Sequence, residues 1–128
     1  MRKAIVLLFV LLAASPMILM AGSKPEKTAM KVAFCIQHVN NEFMQGLAKY
    51  VQDAGKEAGV DVTVYSAEQD TNKQVNQIET CITQGYDGII LDANSAEALV
   101  VAVIAAKQAK VPIMTLHDDV TAGVSDAF

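Results

Sequence analysis

Asp87-Gly88-Ile89-Ile90-Leu91-Asp92 is the stretch that decides the fold. Its apolar residues run on without alternating with polar ones. An alternating strand hides one face, whereas an unbroken apolar strand is covered on both, as in a parallel sheet with helices above and below. The sequence on either side switches to a helical period. Upstream, Asn72 to Gln84 carries Val75, Ile78, Cys81 and Ile82 on one helical face and ends at Gly85. Downstream, Ala96 to Ala109 forms another helix and Val111 to Leu116 a further strand. Farther back, Met30 to Ile36 is a short apolar run with β-branched and aromatic residues, and Val60 to Tyr65 alternates. Between these two strands Phe43, Leu47, Tyr50, Val51 and Ala54 recur at three and four residues, with Asn41 placed as a helix cap. Gly55 and Gly59 mark that helix's end. The order is βαβαβαβ, which predicts an α/β fold: an open parallel sheet with helices on both faces.

Composition sets the outer bounds. The chain has 128 residues, 52% apolar and 19% charged, which fits one domain and excludes wholesale disorder. Ten Lys and Arg face 14 Asp and Glu, a net charge of −4. The single Arg, Arg2, lies with Lys3 at the extreme N-terminus, so the rest of the chain is strongly acidic. Affinity for nucleic acid rests on Lys and Arg, and this balance argues against a nucleic-acid partner.

Arg2 and Lys3 precede the apolar run Ala4 to Ala14, the pattern of a secretory signal. Cleavage is expected between Ala21 and Ser23, where the residues turn small, and Ser23 to Lys27 reads as a solvated linker. The sequence thus divides into a signal peptide (1–22), a linker (23–29) and one lobe (30–128). The competing reading is an uncleaved anchor, since the 19 residues from Ala4 to Gly22 are long enough to reach across a bilayer. No Cys follows the run, so a lipoprotein anchor is not supported. Either way the lobe is exported to the periplasm or the outer cell surface. Cys35 and Cys81 read as buried thiols serving as small hydrophobes, although export permits a disulfide.

Ligands of open α/β sheets sit beyond the carboxyl ends of the strands. Those ends carry Gln37, His38, Asn40, Asn41, Phe43 and Met44 after strand one, and Ser66 and Glu68 to Asp70 after strand two. Asp92 and Asn94 follow strand three, and His117, Asp118 and Asp119 follow strand four. Amides and carboxylates with one aromatic suit a polyhydroxylated ligand, the ring of Phe43 facing the C–H surface of a sugar. Asn41 serves equally as helix cap or ligand contact, and Met44 equally as packing or contact. Glu68 and Asp70 read as solvated loop. No GxGxxG, GxxxxGK[ST] or GxSxG motif is present. Two isolated His complete no metal site with the two Cys. No nucleophile–base constellation appears, so neither catalysis nor a cofactor is expected.

Three segments carry a family resemblance: KVAFCIQHVNNEFMQGL, AGKEAGVDVTVYSAEQDTNKQVNQIETCITQGYDGIILDANSAEAL and AAKQAKVPIMTLHDD. Together, from Lys31 to Asp119, they resemble the first lobe of the type I periplasmic sugar-binding proteins, the ribose-binding-protein-like receptors of ABC importers. The middle segment is the most specific, with its acidic-polar loop, Asn/Gln-rich helix, Gly and DGIIL. The resemblance implies two lobes that close over a monosaccharide and deliver it to a membrane permease, this chain holding an incomplete first lobe. It implies ligand contacts at Gln37, Asn41, Phe43, Met44, Asp92, His117 and Asp118. Where the family usually shows Asp-Arg after strand four, this chain has His117-Asp118, and Met44 replaces the second aromatic of the usual pair. Pentose, hexose, cyclitol or another polar ligand all remain open. The alternative function is a membrane-anchored ligand-sensing domain of a signalling system.

Overall fold

A computed structural model describes residues 28–117 and Val120. The expected signal peptide, residues 1–22, and Asp118 lie outside the described residues. Seven elements follow in the order β1 (Met30–Ile36), α1 (Glu42–Glu57), β2 (Val60–Ser66), α2 (Thr71–Thr83), β3 (Gly88–Asp92), α3 (Ala96–Gln108) and β4 (Ile113–Leu116). The strands form one parallel sheet in the order β2-β1-β3-β4. The expected βαβαβαβ order and parallel sheet are both present.

Side chains alternate across the strands, so each strand feeds two cores. Ala33, Cys35, Ile89, Leu91 and Ile113 pack with Ile78 and Cys81 of α2 and Leu99, Val103 and Ala106 of α3. Phe34 and Ile36 turn the other way, onto Met44 and Ala48 of α1. Fully burying one such Leu, Ile or Phe side chain contributes about 1.5–3 kcal/mol. This two-sided demand explains the unalternating sequence of β3.

Local chemistry fixes the element ends. Asn41 Oδ1 accepts from the Met44 N–H at 2.9 Å and caps α1. Asp70 Oδ1 accepts from the Lys73 N–H at 3.1 Å and caps α2, and Glu68 pairs with Lys73 at 2.9 Å. Asp70 and Glu68 are both exposed loop residues, and beyond that one caps a helix and the other makes an ion pair with it. Gly55 does not end α1, which runs two residues further. A Cβ at Gly55 would overlap Val62 Cγ2, so the glycine lets the helix lie close on β2. Gly59, with φ +73, makes the turn after the helix. β4 starts at Ile113 rather than Val111. Pro112 has no N–H for the ladder, and its carbonyl accepts from Ile89 N at 2.9 Å.

Candidate functional site

The strand order has one topological switch. β1 leads outward to β2, and β3 leads outward to β4 on the other side, so the loops after β1 and β3 diverge and leave a crevice. Gln37 immediately follows β1, and Asp92 ends β3. Across that switch Gln37 Nε2 donates to Asp92 Oδ1 at 3.4 Å, and His117, just past β4, approaches the same oxygen through Nδ1 at 3.1 Å. Phe43, in the first turn of α1, places its ring centroid 6.3 Å from that of His117, tilted by 43°. Four of the expected site residues, Gln37, Phe43, Asp92 and His117, thus meet in one place.

Their exposures divide the labour. Asp92 is 1% exposed, Phe43 is 68% exposed and the His117 side chain 49%. A carboxylate is acceptor-only, so the Asp92 contact puts the proton of neutral His117 on Nδ1 and leaves Nε2 as an acceptor. Asp92 Oδ2 is enclosed and has no partner among the described residues, nor has His38 Nδ1. Unpartnered buried polar atoms are uncommon and concentrate where a protein has something to bind or adjust. His117 also has φ 68, a left-handed backbone that costs a non-glycine residue about 1–2 kcal/mol.

The remaining candidates are placed differently. Asn41 is exposed beside the cluster; its Oδ1 is used by the helix cap, leaving its amide NH₂ to donate. Met44 is 5% exposed and packs with Phe34, Ile36 and Ala48, so its side chain is in the core. Asp118 lies outside the described residues.

One residue that sequence reasoning missed supports the whole edge. Gln74 on α2 is fully buried. Its Nε2 donates to Asp92 O at 2.8 Å and Cys35 O at 3.4 Å, and its Oε1 accepts from Asn94 N at 2.8 Å. Asn94 Nδ2 in turn donates to Gln69 O at 2.9 Å and Thr71 Oγ1 at 2.8 Å, and Gln69 N donates to Gln37 O at 2.8 Å. The loops after β1, β2 and β3 are thereby fastened together. The available signal was spacing: Gln74, Ile78 and Cys81 fall at i, i+4 and i+7 on the buried stripe of α2, where a Gln must satisfy its amide internally.

Among the described residues no group of three or more His, Cys, Asp or Glu is placed to hold a metal, and no helix is long and apolar enough to cross a membrane. A hollow of about 560 Å³ opens at the opposite edge, near Met30, Gly59 and Asp87. It offers little chemistry, because the Asp87 carboxylate already accepts from Lys31 N at 2.8 Å.

Residues 32–128 match the periplasmic binding protein domain. The chain belongs to that family. The ribose import binding protein of Bacillus subtilis (strain 168) is 29% identical over 96 residues, 75% of this chain and 30% of its own length. The D-apiose import binding protein of Paraburkholderia graminis is 31% identical over 114 residues, 89% of this chain and 36% of its own length. An ABC transporter periplasmic solute-binding protein from Actinobacillus succinogenes 130z, solved with bound D-allose, superposes with a TM-score of 0.69. It is 25% identical and shares 73% of this chain and 34% of its own. This chain spans about a third of the length of the curated relatives it matches. The resemblance to sugar-binding receptors of ABC importers and the type I periplasmic binding protein fold are both borne out, over part of a domain. The named relatives are substrate-binding proteins rather than enzymes.

Proposed function

We propose that this periplasmic binding protein domain binds a monosaccharide or a similar polyhydroxylated ligand at the β1/β3 switch and serves ABC-type sugar import. The observation that carries the proposal is the meeting of Gln37, Phe43, Asp92 and His117 at the carboxyl edge. The exposed Phe43 ring packs against the C–H face of the ligand. Nε2 of His117 accepts from a ligand hydroxyl, and the amides of Gln37 and Asn41 donate to ligand oxygens. Asp92 holds Gln37 and His117 in orientation. Asp118 adds a carboxylate from the following position, and Met44 supports the wall from beneath. The chemistry is binding without catalysis.

The named relatives support the ligand class: they are import binding proteins for ribose and D-apiose, and a solved neighbour holds D-allose. The N-terminal pattern supports export, with residues 1–22 as signal peptide, 23–29 as linker and 30–128 as the ligand-facing lobe. The partner is the permease of an ABC importer. A single wall leaves much of a sugar in water, so this chain alone binds weakly compared with a pocket enclosing most of its ligand.

Saturation-transfer NMR with the full chain, using D-ribose, D-apiose, D-allose and myo-inositol, tests the proposal. Transfer to the ring C–H protons of at least one of them, lost in Phe43→Ala, is the expected result. No transfer to any of the four, or transfer unaffected by Phe43→Ala, overturns it.

A further inference from the structure

The two faces of the sheet are covered unequally. Ile89, Leu91 and Ile113 are buried on the side of α2 and α3. Ile90 and Met114 alternate with them along β3 and β4, so they point the other way. Ile90 pairs in register with Phe34 of β1, and Met114 with Ile90, which puts both on the side of α1. There α1 packs over Phe34 and Ile36 and lies close on β2 at Val62. Among the described residues α2 and α3 both pack on the opposite side, and nothing completes the cover over β3 and β4. Val32, Ile90 and Met114 stay half-buried, and Met30 is 55% exposed. With Gly88 and Pro112 they line an open hollow of about 390 Å³ toward the amino edge. Contiguous apolar surface of this kind marks a place where something docks.

The chain itself brings an occupant to this spot. Residues 1–27 join the lobe at Thr28, just before Met30 opens β1, so they arrive at the amino end of the sheet beside the hollow. They carry the apolar run Ala4 to Ala14. Residues 15–27 between that run and the lobe can reach about 43–47 Å when extended. The five-residue strand β3 beneath the hollow is only about 17 Å long, so the run can reach all of it. Charge favours the contact. Arg2 and Lys3 head the run, the rest of the chain is strongly acidic, and Asp87 lines the hollow. A tethered segment also acts at an effective concentration on the order of millimolar, far above that of a second copy in dilute solution. We propose that, in the chain as synthesised, the apolar run Ala4 to Ala14 docks on the open half-face formed by Met30, Val32, Ile90 and Met114. Each apolar surface then shields the other from water, and cleavage of the leader uncovers the hollow on the exported lobe. The docking is independent of sugar binding, which belongs to the carboxyl edge.

Two measurements on full chain from cell-free synthesis, with the leader retained, test the docking. In the first, the photoreactive residue p-benzoylphenylalanine replaces Met114 in one sample and Val101, exposed on α3 at the other side, in a second. Illumination is expected to link position 114 to a peptide from residues 4–14 of the same molecule, at a yield at least fivefold above that from position 101. Links from position 114 to a second copy or to the lobe alone, or equal yields at the two positions, overturn the proposal. The second measurement leaves the hollow unaltered. Methionine methyl NMR signals of the full chain are compared with those of the double variant Leu8→Glu, Leu11→Glu. The Met30 and Met114 signals are expected to shift, while Met44, in the core beneath α1, stays in place and reports an intact fold. Met30 and Met114 signals that do not move, or a Met44 shift as large as theirs, overturn the proposal.

Discussion

At the amino edge of the sheet the chain turns from helix to strand through Gly59 (φ +73), Gly85 (φ +69) and Lys110 (φ 60). At the carboxyl edge it turns through Glu68 (φ 55), Gln69 (φ 64) and His117 (φ 68), all left-handed without being glycine. Glycine takes such a backbone at little steric cost, so two of the three amino-edge turns carry little strain. The carboxyl edge keeps side chains where glycine would be easier, and holds Gln69 with the Gln74–Asn94–Gln69 network, Glu68 with Lys73 and His117 with Asp92. It also encloses an oxygen of Asp92 that has no partner among the described residues. One edge is built to connect elements, and the other spends stability to present groups, as binding sites do.

The largest difference between the edges is expected at their braces. Gln74→Leu keeps the volume but strands Asp92 O and Asn94 N, and a loss of about 2–4 kcal/mol is expected in urea unfolding. At the amino edge, Asp87→Ala removes one exposed bond to Lys31 N and costs under about 1 kcal/mol in the same measurement. Equal losses would mean that the carboxyl edge has no special brace.

The turns give a smaller contrast of opposite sign. Gly59→Ala forces a Cβ into a left-handed turn and is expected to cost about 1 kcal/mol. Gln69→Gly relieves a left-handed residue whose backbone bonds survive, and a gain of up to about 1 kcal/mol is expected. Thermal unfolding of the two variants checks both signs.

The smallest effect is a pH dependence. The Tyr65 hydroxyl lies 2.9 Å from that of Tyr86, and this hydrogen bond, followed by burial, pushes Tyr65 up from 10.0 to about 12. The fold therefore favours the neutral phenol. That contribution is whole below pH 10 and is lost as pH climbs from about 10 to about 12. In Tyr86→Phe the ultraviolet titration of Tyr65 is expected to move back down and the alkaline loss of stability to shrink.

Most of the architecture was legible because its signals are local. The unalternating Ile89-Ile90-Leu91 announced a strand buried on both faces, and the i, i+3, i+4 stripes announced the helices. Gly55 misled because it serves a contact with Val62, distant in sequence, and local rules can only read a glycine as punctuation. The site was legible as a set of strand ends, from which the fold gathers Gln37, Phe43, Asp92 and His117. Gln74 was not read, because a polar residue on an apolar stripe acquires its meaning only when the backbone groups of two strands and a loop arrive around it.

The central claim is that the carboxyl edge at the β1/β3 switch is the ligand-facing edge. Amide chemical-shift mapping of the isotope-labelled full chain during titration with D-ribose, D-apiose, D-allose and myo-inositol tests it most directly. The account predicts that at least one of these shifts Gln37, Asn41, Phe43, Asp92 and His117 while Gly59, Gly85 and Asp87 stay still. Shifts centred on the amino edge, or no shift with any of the four, would contradict it.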